Sequence, residues 1–188
     1  MAGTAVSVTV QALDADNGPA PSYRGTVHLV SSDSQAQLPG DYSFTAADNG
    51  VHTFTATLST AGPQSITITD TAVSFITGIG NVVVNPAAAV QFQIIAPPSS
   101  PSGAAFDITV IAMDPYGNTD VNYSGTITFT SSDTDPNVVL PADYAFTASD
   151  GGMHVFPVGV VLITPGAQTI TVTDTTSGIT GTVTVTIY

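Results

Sequence analysis

Residues 23–33 of this chain read YRGTVHLVSSD, and residues 123–133 read YSGTITFTSSD. LPGDYSFTAADNGVHTF (38–54) returns as LPADYAFTASDGGMHVF (140–156), and QSITITDT (64–71) returns as QTITVTDT (168–175). The register offset is 100 residues at Gly25/Gly125, 102 at Tyr42/Tyr144 and 104 at Asp70/Asp174. A period of that length is too long for a solenoid unit and matches a whole domain. The 188 residues therefore hold two copies of one small domain, each long enough to bury its own core.

Residue usage points to strands. The chain has no Lys, Glu, Cys or Trp, Arg24 is its one basic side chain, and all 14 acidic residues are Asp. Glu and Lys favour helices and Asp favours turns, while the abundant Thr, Val and Ile favour sheets. Val6, Val8, Val10 and Ala12 alternate with Ser7, Thr9 and Gln11, and Phe106, Ile108, Val110 and Ala112 repeat the pattern. Period two with one apolar face marks half-buried strands. Further strands are expected at about 25–32, 42–46, 51–58, 64–70 and 79–85, and at 125–132, 144–148, 153–162, 167–173 and 181–188. Clusters of Gly, Pro, Asn and Asp separate them. This spacing predicts an all-β chain of two tandem immunoglobulin-like β-sandwich domains, 1–86 and 87–188.

The two copies are not equivalent. Residues 89–96 read as a first strand of the second domain, followed by a Pro-rich connection at 97–103. The first domain opens directly at its second strand. Two explanations stand: a boundary cut inside the repeat, or a first strand supplied by another chain, which could build filaments. ALDADNGP (12–19) carries its Gly one place later than AMDPYGN (112–118), so the turn there is expected to differ. PVGVVLITPG (157–166) is two residues longer than TATLSTAG (55–62), which predicts a bulged strand or a sticky edge at 158–163.

AMDPYGN, YSGTITFTSSD, LPADYAFTASDGGMHVF and TPGAQTITVTD resemble the bacterial Ig-like repeats strung in tandem in large surface and secreted proteins. The Asp-x-x-Gly-Asn element is also similar to the Ig-like domains of invasin- and intimin-type adhesins. The resemblance implies an extracellular or cell-surface setting and a role as spacer, stalk or adhesive unit, with neighbouring repeats as the first partners. MAGTAVSVTV lacks the basic and apolar regions of a signal peptide and reads as the middle of a longer protein.

The net charge of −13 disfavours nucleic acid and anionic membrane as partners, and no apolar run is long enough to cross a bilayer. It is compatible with cations. In a sandwich of this kind Asp114, Asp120, Asp150 and Asp174 fall in loops at the end of the second domain that should face the first. Asp14, Asp16, Asp48 and Asp70 fall in the equivalent loops of the first domain. Calcium takes six to eight oxygen ligands and suits such loops. The competing reading is turn chemistry, in which each carboxylate bonds nearby backbone N–H groups. Asp14-Ala-Asp-Asn-Gly18 has half the pattern of an EF-hand loop but lacks the closing Glu.

His52 and His154 occupy matched positions and read as packed or hydrogen-bonded side chains rather than zinc ligands. Tyr23/Tyr123 and Tyr42/Tyr144 read as core covers with hydroxyls bonded to backbone, or alternatively as a glycan platform. The motifs of serine, cysteine and zinc hydrolases do not occur, so no catalytic residue and no enzyme is expected. The expected function is a structural spacer. The alternatives are a binding module for a glycan or cell-surface partner, and a filament subunit self-associating through the first domain's open edge or the 158–163 segment.

Overall fold

A computed structural model describes all 188 residues. The chain divides into two compact units, Met1–Pro86 and Ala87–Tyr188. The first contains β1 (Ala5–Gln11), β2 (Thr26–Ser31), β3 (Tyr42–Ser43), β4 (Val51–Thr57), β5 (Gly62–Asp70) and β6 (Thr77–Val84). Its two sheets are β1-β4 and β3-β2-β5-β6, antiparallel throughout.

The second unit contains β7 (Gln91–Ile95), β8 (Ser99–Ser100), β9 (Ala105–Met113), β10 (Thr126–Ser131), β11 (Tyr144–Ala145), β12 (Met153–Val161), β13 (Gly166–Asp174) and β14 (Thr180–Ile187). Its sheets are β12-β9-β7 and β11-β10-β13-β14-β8. Both units have the strand order of an immunoglobulin-like sandwich. The second adds two strands, β7 beside β9 and β8 parallel to β14.

Alternation sets the faces. In β9 the inward residues Phe106, Ile108, Val110 and Ala112 are buried, and they meet Ile127, Phe129, Ile170, Val172 and Val185 of the opposite sheet in one core. Threonines line the outer faces, where hydroxyl pairs such as Thr9–Thr53 (3.0 Å) and Thr171–Thr182 (3.1 Å) bridge neighbouring strands. The expected strand at 42–46 ends at Ser43, because Thr45 turns to meet Asp48.

Two local expectations have clear outcomes. The turn at 12–19 does not differ from its counterpart. Asp14 N–H donates to Gly18 C=O just as Asp114 N–H donates to Asn118 C=O, at 2.8 Å in each. Asn17 adopts φ 61°, the left-handed conformation that Gly117 holds at 85°. Asn is among the few non-glycine residues that enter this region readily, so the shifted glycine was not needed. In the 157–166 segment the β9–β12 register breaks between Phe156 and Val160, forming a bulge. Val160 and Leu162 are buried while Val158 projects outward.

Candidate functional site

Most of the carboxylates singled out in the sequence are engaged in fixing loops. Asp114 is fully buried. One of its oxygens accepts the N–H groups of Tyr116 and Asn118, and the other accepts Ala87 N–H and the Asn118 side chain. Burial alone would push its carboxyl upward, but these hydrogen bonds outweigh burial and hold it low. Asp120 accepts Ala89 N–H at 2.9 Å and Asn122 N–H at 3.1 Å. Both carboxylates thus anchor the backbone that leads into β7. Asp14 accepts the N–H groups of Asp16 and Gly18 on one oxygen, and Asp16 is exposed.

Asp70 and Asp174 each accept a tyrosine hydroxyl, from Tyr23 and Tyr123, at 2.5 Å. Each also accepts two backbone N–H groups, from Ala72 and Val73 and from Thr176 and Ser177. These tyrosines were expected to bond backbone; a buried carboxylate is the stronger acceptor and takes the hydroxyl instead. Burial, and then the neighbouring carboxylate, push both phenols well above the ordinary tyrosine value. A Cβ on Gly25 would lie 2.1 Å from Asp70 Oδ2 and 2.2 Å from the Tyr23 hydroxyl, and one on Gly125 would meet the matching atoms at the same distances. The repeated Tyr-x-Gly motif is therefore the footprint of this hydrogen bond.

Asp48 and Asp150 organise a second repeated cluster. Asp48 accepts the Thr45 N–H and hydroxyl and the Tyr42 hydroxyl, with His52 Nδ1 at 2.9 Å. Asp150 does the same with Thr147, Tyr144 and His154. The Thr45 hydroxyl and the Thr147 N–H lead the bonds that hold these carboxylates below the ordinary range. His52 stacks on Tyr42 with ring centroids 3.7 Å apart, and His154 on Tyr144 at 3.9 Å.

A third pair, Asp33 and Asp133, was not singled out in the sequence. Asp133 accepts the N–H groups of Asp135, Ile163 and Thr164 and the Thr164 hydroxyl; Asp33 accepts those of Gln35, Ser59 and Thr60 and the Thr60 hydroxyl. Burial opposes ionisation at both, and the bonds led by the threonine hydroxyl overcome it, bringing each carboxyl down to about 2. The Ser-Ser-Asp that recurs at 31–33 and 131–133 was the available signal.

No three of the candidate carboxylates converge: no group of three or more His, Cys, Asp or Glu side chains is placed to hold a metal ion. Asp14, Asp16, Asp48 and Asp70 are distributed over separate turns, as are Asp114, Asp120, Asp150 and Asp174.

The units differ most where β7 lies. In the second unit Phe92 is buried, with its ring 5.4 Å from Tyr123. A Cβ on Gly181 would fall 2.3 Å from Phe92 O, so β7 rests directly on glycine backbone. Gly78 pairs with Ile68 as Gly181 pairs with Val172, which makes Gly78 the counterpart. A Cβ on Gly78 would have nothing within 4 Å. Around it Val10, Ala12, Tyr23 and Ile68 are only half-buried, and Ile76 is 41% exposed. Their counterparts Val110, Ala112, Tyr123 and Val172 are buried. Residues Ala2 and Gly3 take the places of Ser102 and Gly103, donating to Asn85 and Leu58 as those donate to Tyr188 and Leu162.

No family model matches the chain, and no curated protein matches it. Solved structures of similar fold include the Escherichia coli adhesin FdeC (16% identity, 100% of this chain and 60% of that one, TM-score 0.48). The adhesin InvE of Yersinia pseudotuberculosis follows at 17% identity, 98% of this chain, 54% of that one and TM-score 0.42. The D0-D1 domain of intimin is matched at 16% identity, 98% of this chain, 90% of that one and TM-score 0.38. These are likenesses at low identity, and the functional reading rests on the chain's own residues.

Proposed function

We propose that this chain is a pair of structural spacer modules in a large extracellular bacterial surface protein. The observation that carries the reading is the use made of its carboxylates. Asp33/Asp133, Asp48/Asp150 and Asp70/Asp174 each clamp a loop to the sandwich through three or more hydrogen bonds, in both copies. Groups held ionised by fixed donors serve rigidity rather than proton transfer. The motifs quoted above, which resemble tandem surface repeats, supply the setting.

A spacer transmits tension along its chain. In the second unit the parallel pairs Ser99↔Thr186 and Ser100↔Ile187 join the two ends of the unit, so stretching loads them in shear. Single-molecule pulling should show a discrete force peak for the second unit and a lower one for the first. Extension without a peak for the second unit would overturn the spacer reading. A glycan array bound selectively by the intact pair would replace it with a binding module.

A further inference from the structure

The first unit has a formed but unfilled seat for a β-strand. We propose that it is an acceptor for an extended segment of a separate polypeptide, with a large aromatic residue over Gly78 and an aliphatic residue two positions on.

Three independent features define the seat. Gly78 sits inside β6, where glycine packs nothing and weakens the strand, and a Cβ there would have nothing within 4 Å. In the second unit the corresponding glycine exists because β7 backbone lies against it. The edge of β1 from Thr9 to Leu13 matches the stretch Thr109–Met113, which β7 occupies antiparallel with Phe92 opposite Ala112. Finally, Asp14 Oδ1 takes the Asp16 and Gly18 N–H groups, as Asp114 Oδ1 takes those of Tyr116 and Asn118. Asp114 Oδ2 receives the Ala87 N–H, five residues ahead of Phe92, while Asp14 Oδ2 receives no hydrogen bond. An unpaired edge, an apolar recess and an acceptor for the entering backbone together specify strand addition.

The occupant's chemistry follows from β7. It enters with small residues whose N–H can reach Asp14, carries alternating apolar side chains of the Phe92/Ile94 type, and leaves at proline. A second copy is a poor donor, because withdrawing its β7 would uncover Gly181 and Tyr123 and trade one open seat for another. The inference stands on the first unit's geometry and does not depend on the spacer reading.

The test uses the full chain and a synthetic peptide with the sequence of Pro86–Ser100. Calorimetry should give one saturable site per chain, and hydrogen exchange should slow at the Thr9–Leu13 amides. The same peptide with Phe92→Asp should not bind. Gly78→Val, which fills the recess with a side chain, should weaken binding at least tenfold. Absence of binding, or undiminished binding to Gly78→Val, overturns the proposal. Should that variant not fold, a chain with a second Ala88–Ser100 joined ahead of Met1 serves instead: it should refuse the peptide and protect the same amides, and undiminished peptide uptake counts against the seat. Oligomers of the chain alone that the peptide dissolves would make a second copy the donor and overturn the separate-polypeptide assignment.

Discussion

Gly78 and Gly181 hold the same place in the two sandwiches, yet only Gly181 has another strand's backbone against it. A Cβ placed 2.3 Å from Phe92 O must displace β7. Gly181→Val should therefore destabilise the second unit by about 1–3 kcal/mol or more. Gly78→Val should stabilise the first by about 0.5–1 kcal/mol, through reduced chain freedom and better strand propensity. Thermal melts of the two variants check both signs.

Acid should loosen both units through Asp33 and Asp133. Their folded values, about 2, lie below the ordinary 3.8. A depressed carboxyl contributes stability that is fully present above its unfolded value and lost as pH falls through the folded one. Stability should then drop between about pH 4 and pH 2, and Asp33→Asn with Asp133→Asn should flatten that slope. At neutral pH, Asp33→Ala strands several buried donors and should cost about 1–3 kcal/mol. Urea melts across the pH range measure both.

Alkali acts through the tyrosines. Tyr23, Tyr42, Tyr123 and Tyr144 are all raised above 10.0, first by burial and then by a bonded carboxylate. A phenol raised in the folded state stabilises below its unfolded value, and that contribution disappears as pH rises toward the folded one. Phenolate absorbance from these four should thus rise together with unfolding, above pH 10. Tyr123→Phe should remove the effect at Asp174 and leave Tyr23 unchanged.

Calcium should have little to hold. The carboxylates nominated as ligands accept backbone and side-chain donors on separate turns, and no three meet. Adding about 1 mM Ca²⁺, the range in which extracellular modules load, should leave the melting temperature unmoved. A clear rise at that concentration would show that the loops rearrange to coordinate the ion.

Alternation in Val6–Ala12 and Phe106–Ala112, together with the repeat offset, made the sandwich readable, because a half-buried strand writes its face into every second residue. The bulge was readable from two surplus residues. The carboxylate clusters were less so. An aspartate in a turn has one appearance in sequence whether it meets a metal, a tyrosine or a backbone N–H, and only the fold brings Asp174 to Tyr123 across 51 residues. Asp33 and Asp133 were overlooked because their partners at 59–60 and 163–164 are backbone groups, which carry no residue signature. The seat at Gly78 was hidden for the opposite reason: its evidence is empty space beside a residue without a side chain.

The bulge in β12 also bears on how sibling sequences avoid each other during folding. Tandem copies risk exchanging equivalent strands while both are still unfolded. In the first unit, Phe54 and Ala56 face Val8 and Val6 two residues apart. In the second, Phe156 and Val160 span four residues to reach Ile108 and Phe106. If β12 paired with β1, or β4 with β9, one half of the ladder would fall out of step and leave apolar side chains unseated. Two added residues thus make the copies mutually illegible, so each nascent sandwich is steered to close on its own strands.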